Sequence, residues 1–199
     1  MKNLNKILKV TALVVIASLA IPALTLAQGV YKLAAGPGVV IKVLGSSNVH
    51  DWVMASTVMD SKGEFTVTGE TLSGLKKLSF QLAFKSLKSE HETMDERMYK
   101  SVNESKFPNI TYKLLSATVS GVAKDKFLIA TKGELTIAGV TQTISMNVNA
   151  LLNTDNSITC SGSQKIKLTD YGIKPPTFML GAMKVYNDLT IQFNLIYKK

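Results

Sequence analysis

The chain has 199 residues, 46% of them hydrophobic, a single cysteine and a formal net charge of +9. That length fits one domain with one core, and one cysteine excludes an internal disulfide. The lysines are spread along the chain instead of clustered, so the positive charge reads as a solvated exterior and not as a nucleic-acid surface.

The N-terminus has the grammar of an export signal. Lys2, Lys6 and Lys9 form a basic start, an apolar run from Val10 to Leu26 follows with a break at Pro22, and Thr25-Leu26-Ala27 supplies small residues at a cleavage position. Residues 1–27 are therefore expected to be a signal peptide and residues 28–199 the folded domain, with Gln28 as its first residue. The alternative is an uncleaved N-terminal anchor. Removing the leader takes three basic residues and no acidic one, so the charge falls from +9 to +6. Export implies the periplasm, with release from the cell the less favoured destination.

The remaining sequence alternates. Tyr31 opens a short strand, Gly36-Pro37-Gly38 turns, and Val39, Ile41 and Val43 alternate up to Gly45-Ser46-Ser47-Asn48. A strand begins at Trp52, and Ser61-Lys62-Gly63 is expected to be a hairpin turn. Residues 75–86 place Leu78, Phe80, Leu82 and Phe84 on one face and Lys77, Ser79, Gln81 and Lys85 on the other. After residue 110 the alternation resumes, punctuated by turns at Lys124-Asp125-Lys126, Ala138-Gly139 and Thr154-Asp155-Asn156. Phe127, Ile129, Leu135, Met146 and Val148 fall in the apolar phase, as does Cys160, which reads as a buried inert thiol. Residues 177–183 are apolar without period, which suits a loop over an apolar surface. Leu189, Ile191, Phe193, Leu195 and Tyr197 form the final amphipathic strand.

One stretch interrupts this pattern. Between residues 89 and 111, Met94, Met98 and Val102 recur at four-residue spacing on one helical face. Ser89 and Glu92 have capping-box spacing, Glu90, Glu92, Asp95, Glu96 and Arg97 fall largely on the other faces, and Phe107-Pro108 is expected to end the helix.

About eight strands, each with one apolar face and no set of amphipathic helices to cover a flat sheet, predict an all-β, eight-stranded antiparallel barrel with a short helical insert. A two-sheet sandwich is the second choice. Catalytic signatures are missing: there is no HExxH, CxxC, GxSxG, P-loop or dinucleotide fingerprint. His50-Asp51-Trp52 is the one polar constellation, and it lacks the partners of a triad or metal centre. The reading is non-enzymatic, with no cofactor and no metal. An apolar lumen lined by Phe80, Leu82, Phe84, Phe127, Ile129, Leu135, Met146, Val148, Ile191 and Phe193, with Met94, Met98, Phe178, Met179 and Met183 at its mouth, is expected to take a hydrophobic, lipid-like molecule. Gly45, Gly69, Gly133 and Gly162 in the same phase either relieve crowding or leave room. A lumen filled by its own side chains, serving a structural or stress-response interaction, is the alternative. Weak contact with a membrane surface and a homodimer are compatible with the sequence.

Three motifs resemble the YceI-like family of exported, lipocalin-like proteins. They are Asp95-Glu96-Arg97-Met98-Tyr99-Lys100-Ser101 with Lys106-Phe107-Pro108-Asn109-Ile110-Thr111-Tyr112; Lys132-Gly133-Glu134-Leu135-Thr136-Ile137-Ala138-Gly139-Val140-Thr141-Gln142; and Ile166-Lys167-Leu168-Thr169-Asp170-Tyr171-Gly172-Ile173 followed by the final strand at Asp188–Ile191. Gly45 to Trp52 reads as a His-Asp-Trp variant of the family pattern. The resemblance implies a lipocalin-like barrel and a polyisoprenoid or fatty-acyl ligand held along its axis.

Overall fold

The computed structural model describes residues 27–199; the expected leader, apart from Ala27, lies outside the described residues. The strands are β1 (Ala27–Leu33), β2 (Val40–Ser46), β3 (Asp51–Ser56), β4 (Asp60–Thr68), β5 (Thr71–Ala83), β6 (Asn109–Ala123), β7 (Lys126–Ile137), β8 (Val140–Leu152), β9 (Ile158–Lys167), β10 (Thr177–Phe178), β11 (Met183–Lys184) and β12 (Asp188–Lys198), with one helix, α1 (Glu92–Ser101). All strands but β10 and β11 belong to one antiparallel sheet.

That sheet closes into a barrel of eight staves. β1 and β2 lie in line on the same edge of β12, through Leu33 opposite Tyr197 and Val40 opposite Asn194. They are two halves of one stave, broken at Gly36-Pro37-Gly38, where the Asn194 side chain donates to the Gly38 carbonyl at 2.6 Å. β3 and β4 pair with β2 and β1 respectively and make the second stave. β5 to β9 and β12 complete the ring in sequence order. The eight-stranded closed barrel expected from the alternation is the observed fold.

Two-residue turns connect β4 to β5, β6 to β7 and β7 to β8. Ala138 and Gly139 both have positive φ, 49° and 80°, the backbone twist that suits a tight hairpin. Ser61-Lys62-Gly63 is a correction. These residues form the middle of β4, and the turn sits later, at Gly69-Glu70 between the paired Thr68 and Thr71. Gly69, with φ of 58°, is thus a turn residue and not an inward one. Ser61 is buried because it ties the closed end together. Its hydroxyl donates to the Ser79 carbonyl at 2.7 Å, which leaves its oxygen to accept from the Tyr197 hydroxyl at 2.8 Å. Phe65, fully buried, lies between the rings of Tyr31 and Tyr197 at 5.4 and 5.3 Å.

The other inward glycines have a specific use. The Trp52 ring lies over Gly45, the Tyr112 ring over Gly133 and the Phe193 ring over Gly162, so close that a Cβ at any of the three would overlap the ring. Each glycine lets an aromatic side chain lie along the wall.

Helix α1 caps one end of the barrel. Met94 and Met98 are half-buried and Val102 is buried, so the expected face does turn inward. The expected Ser89/Glu92 capping box is replaced by a link one turn deeper. Asp95, 3% exposed, accepts from the Ser89 backbone N–H and hydroxyl, both at 2.8 Å, with the Lys88 ammonium at 3.6 Å. A carboxylate can be buried there because its oxygens are satisfied, which corrects its assignment to an outer face. The helix ends at Ser101, ahead of Phe107-Pro108. Asn103 adopts φ of 52°, and the N–H groups of Asn103 and Glu104 bond back to the carbonyls of Lys100 and Tyr99. This is a Schellman closure with asparagine in the left-handed position.

Two outcomes are expected. Gly133→Ala forces the Tyr112 ring off the wall and should cost about 1–3 kcal/mol, seen as a lower melting temperature by circular dichroism. Burial pushes the Cys160 thiol up to about 12 and also raises the Tyr197 hydroxyl. The unfolded chain releases these protons first, so the folded state holds more protons at high pH and stability falls as pH rises. The Cys160 part should begin near about pH 8.5 and approach about 1.4 kcal/mol per pH unit. Urea unfolding across that range should show a shallower decline in Cys160→Ala.

Candidate functional site

The barrel contains two adjacent apolar chambers. The mouth chamber, about 280 Å³, lies beneath α1 and the β10–β11 hairpin; the inner chamber, about 120 Å³, lies deeper between the staves. Val43, Ile110 and Ile191 line both and stand at the boundary between them.

The strands set this lining by alternation. In β5, Phe80 and Leu82 reach the inner chamber, and Phe84, just beyond the strand, reaches the mouth chamber. Ile129 and Leu135 of β7, Met146 and Val148 of β8, and Phe193 of β12 also line the inner chamber. Met94 and Met98 form the roof of the mouth chamber, with Phe178 and Met183 from the β10–β11 hairpin at its side. His50 and Trp52 belong to the same chamber wall.

Three expected site residues lie elsewhere. Phe127 is buried at the far end of β7 and touches neither chamber. The Asp51 side chain is exposed, and only its backbone carbonyl is used, accepting from the Nδ1–H of His50 at 2.8 Å. Met179 is 73% exposed and Leu180 fully so. Both have positive φ, 53° and 55°, which turns the hairpin tip away from the barrel. Apolar character alone could not distinguish Phe178, which faces in, from Met179, which faces out.

The hairpin is fastened to the β2–β3 turn. The Asn48 side chain donates to the Ala182 carbonyl at 2.8 Å and accepts from the Lys184 N–H at 2.7 Å. The segment after β9 closes another part of the rim: the Gln142 side chain donates to the Asp170 carbonyl at 2.7 Å, and Tyr171 and Ile173 are buried in the chamber wall. These two residues fell in a stretch where the alternation breaks, so periodicity passed over them. The asparagine and glutamine bonds that position the rim have no periodic signature either.

Electrostatically the inner chamber is almost featureless. Its polar members are few, chiefly Thr131, Tyr112, Gln164 and Cys160. Burial raises the Tyr112 hydroxyl, with the Thr131 hydroxyl pulling the other way, and the Thr131 hydroxyl itself donates to the Met146 carbonyl at 3.1 Å. Tyr171 in the mouth wall is pushed up to about 12, by burial first and the Asp170 charge second. Neither tyrosine is therefore an anion at neutral pH. Among the described residues, no three His, Cys, Asp or Glu side chains gather as a metal centre requires. The arrangement can hold an elongated apolar molecule with one end at the rim.

Comparison with known proteins agrees with this architecture. The YceI-like domain profile matches residues 40–197. Similar solved structures include BcnA of Burkholderia cenocepacia, 16% identical with a TM-score of 0.60, covering 78% of this chain and 95% of that one. A polyisoprenoid binding domain from Saccharophagus degradans, implicated in plant cell wall breakdown, is 14% identical with a TM-score of 0.63, over 84% and 97% of the two chains. The YCEI protein of Campylobacter jejuni is 20% identical with a TM-score of 0.53, over 70% and 82%. At these identities the likeness establishes the fold. No curated protein matches the sequence. The profile runs from the start of β2 almost to the end of the last stave, and on that match the chain belongs to the YceI-like family.

Proposed function

We propose that this protein is an exported, periplasmic carrier that binds a long apolar chain, polyisoprenoid or fatty-acyl, along the barrel axis and performs no catalysis. In this reading residues 1–27 are a cleaved signal and residues 28–199 the carrier. The observation that carries the proposal is a pair of adjacent, mainly apolar chambers inside the barrel, with Val43, Ile110 and Ile191 lining both. The named ligand class of the Saccharophagus degradans domain points the same way. Burial of each methylene contributes about 0.8 kcal/mol, so a chain of about ten has driving force to offset the cost of ordering it. Such a site is indifferent to sequence-like detail in the ligand and sensitive to its length. An interior filled by its own side chains would leave no volume of this kind.

The hairpin tip suits a role in loading. Met179, Leu180 and, on the adjoining turn, Val49 are strongly exposed apolar side chains beside the mouth, with Lys174 and Lys184 close in sequence. This combination fits shallow contact with an anionic bilayer surface.

Organic extracts of protein purified in its native state should contain a long-chain lipid by mass spectrometry. Met146→Trp, which fills the inner chamber, should shift the bound species to shorter chains or abolish binding while the fold is kept. Empty extracts together with failure to bind any added alkyl chain would refute the carrier reading. Replacing Met179 and Leu180 by serine should slow ligand transfer from anionic vesicles, measured by stopped-flow fluorescence, and leave the equilibrium affinity unchanged.

A further inference from the structure

The wall of the inner chamber contains a polar group that the fold leaves unused. The Tyr112 side chain is 8% exposed, it lines the inner chamber, and its hydroxyl is buried with no hydrogen-bond partner among the described residues. A buried donor without an acceptor costs more than an apolar group of the same shape. Phenylalanine would cover the same stretch of wall without that cost, so the hydroxyl calls for an explanation.

Gly133 decides where the hydroxyl lies. Tyr112 stands opposite Leu135 in the ladder between β6 and β7, and its ring and hydroxyl run over Gly133, the next residue of β7 on the same face. One step further on that face is Thr131, whose hydroxyl acts on the phenol. Thr131 uses its own proton on the Met146 carbonyl at 3.1 Å. It therefore has no proton for Tyr112, and the bond in which the phenol would donate to it is not made.

The ladder register puts a second polar side chain at the same level. Thr131 is opposite Met146. Val148 and Gly162 are the last pair of the β8–β9 ladder, and two residues beyond them towards the mouth stand Met146 and Gln164. Gln164 lines the inner chamber and is opposite Ile191, which is in turn opposite Val43. Because Val43 and Ile191 line both chambers, this layer stands part-way along the lumen and not at its floor. No charged side chain lines the inner chamber, so a charged guest group would be buried there without a counter-ion. A neutral oxygen is the group that such a donor can take.

We propose that the inner chamber contains a polar subsite centred on Tyr112, which donates to a ketone or hydroxyl oxygen borne part-way along the chain of the ligand. This deepens the carrier reading and rests on it, and it narrows the ligand class from plain alkyl chains to internally oxygenated ones.

Calorimetric titration with hexadecanoic acid and with its derivatives bearing one ketone or one hydroxyl, at successive even-numbered carbons from the sixth to the twelfth, tests the subsite. At least one derivative should bind about tenfold more tightly than the parent acid, and its position and oxygen type identify the group recognised. In Tyr112→Phe the same derivative and the parent acid should bind alike. The infrared carbonyl band of a bound ketone should lie at lower frequency in the unaltered protein than in Tyr112→Phe. The melting temperature of Tyr112→Phe by circular dichroism should be unchanged or higher, because no protein hydrogen bond is lost; a fall would show that the phenol has a structural partner and would overturn the subsite. Equal binding of every derivative and the parent acid, or a preference that survives in Tyr112→Phe, would also overturn it and leave the carrier reading standing. Binding of none of these acids would refute both.

Discussion

One edge of β12 carries two partners. β1 takes its C-terminal end and β2 its N-terminal half, so the two halves of the first stave are held in line by the last strand of the chain. Without that pairing the sheet would be open, with unpaired backbone groups at both edges and a continuous apolar face in water. With it, every apolar face points into one interior. The same strand brings Tyr197 under Ser61, so closure of the ladder and closure of the barrel's deep end are one event. The contacts that define the chambers all depend on a ring completed between residues that are far apart in sequence.

A closed barrel of this size tends to fill itself, and the wall shows how this one keeps space. Trp52, Tyr112 and Phe193 each lie over a glycine of a neighbouring stave. A ring placed along the wall contributes apolar surface without projecting across the lumen. Gly45, Gly133 and Gly162 therefore act through what they omit. At the rim the logic differs: the α1 roof, the β10–β11 hairpin and the segment around Tyr171 are fastened by side-chain to backbone hydrogen bonds, and the methionines that α1 and the hairpin present are adaptable in shape.

The sequence made the staves legible because a half-buried strand must alternate. Phe80 and Leu82, Met146 and Val148, and Ile191 and Phe193 were placed on the lumen side by period alone, and they line it. Where period carried no information, the reading failed. Ser61-Lys62-Gly63 has the composition of a turn, yet its serine is consumed by Tyr197 and Ser79. Asn103 ended the helix before Pro108 could, through a backbone conformation that a pattern of apolar residues does not encode. Asp95 was assigned outward because it is charged, although its carboxylate bonds to Ser89. Arg97 was set on a polar face for the same reason. It nevertheless lines the mouth chamber, with its guanidinium over the Phe178 ring.

The single tryptophan of the chain is part of the mouth chamber wall, its ring over Gly45 and its indole N–H without a protein partner. An indole emits according to the polarity around it and the partner its N–H finds. The protein therefore contains an intrinsic optical reporter at the place where a guest arrives. Occupancy of the barrel can be followed on the unmodified molecule, with one emission to interpret and no second tryptophan to dilute it.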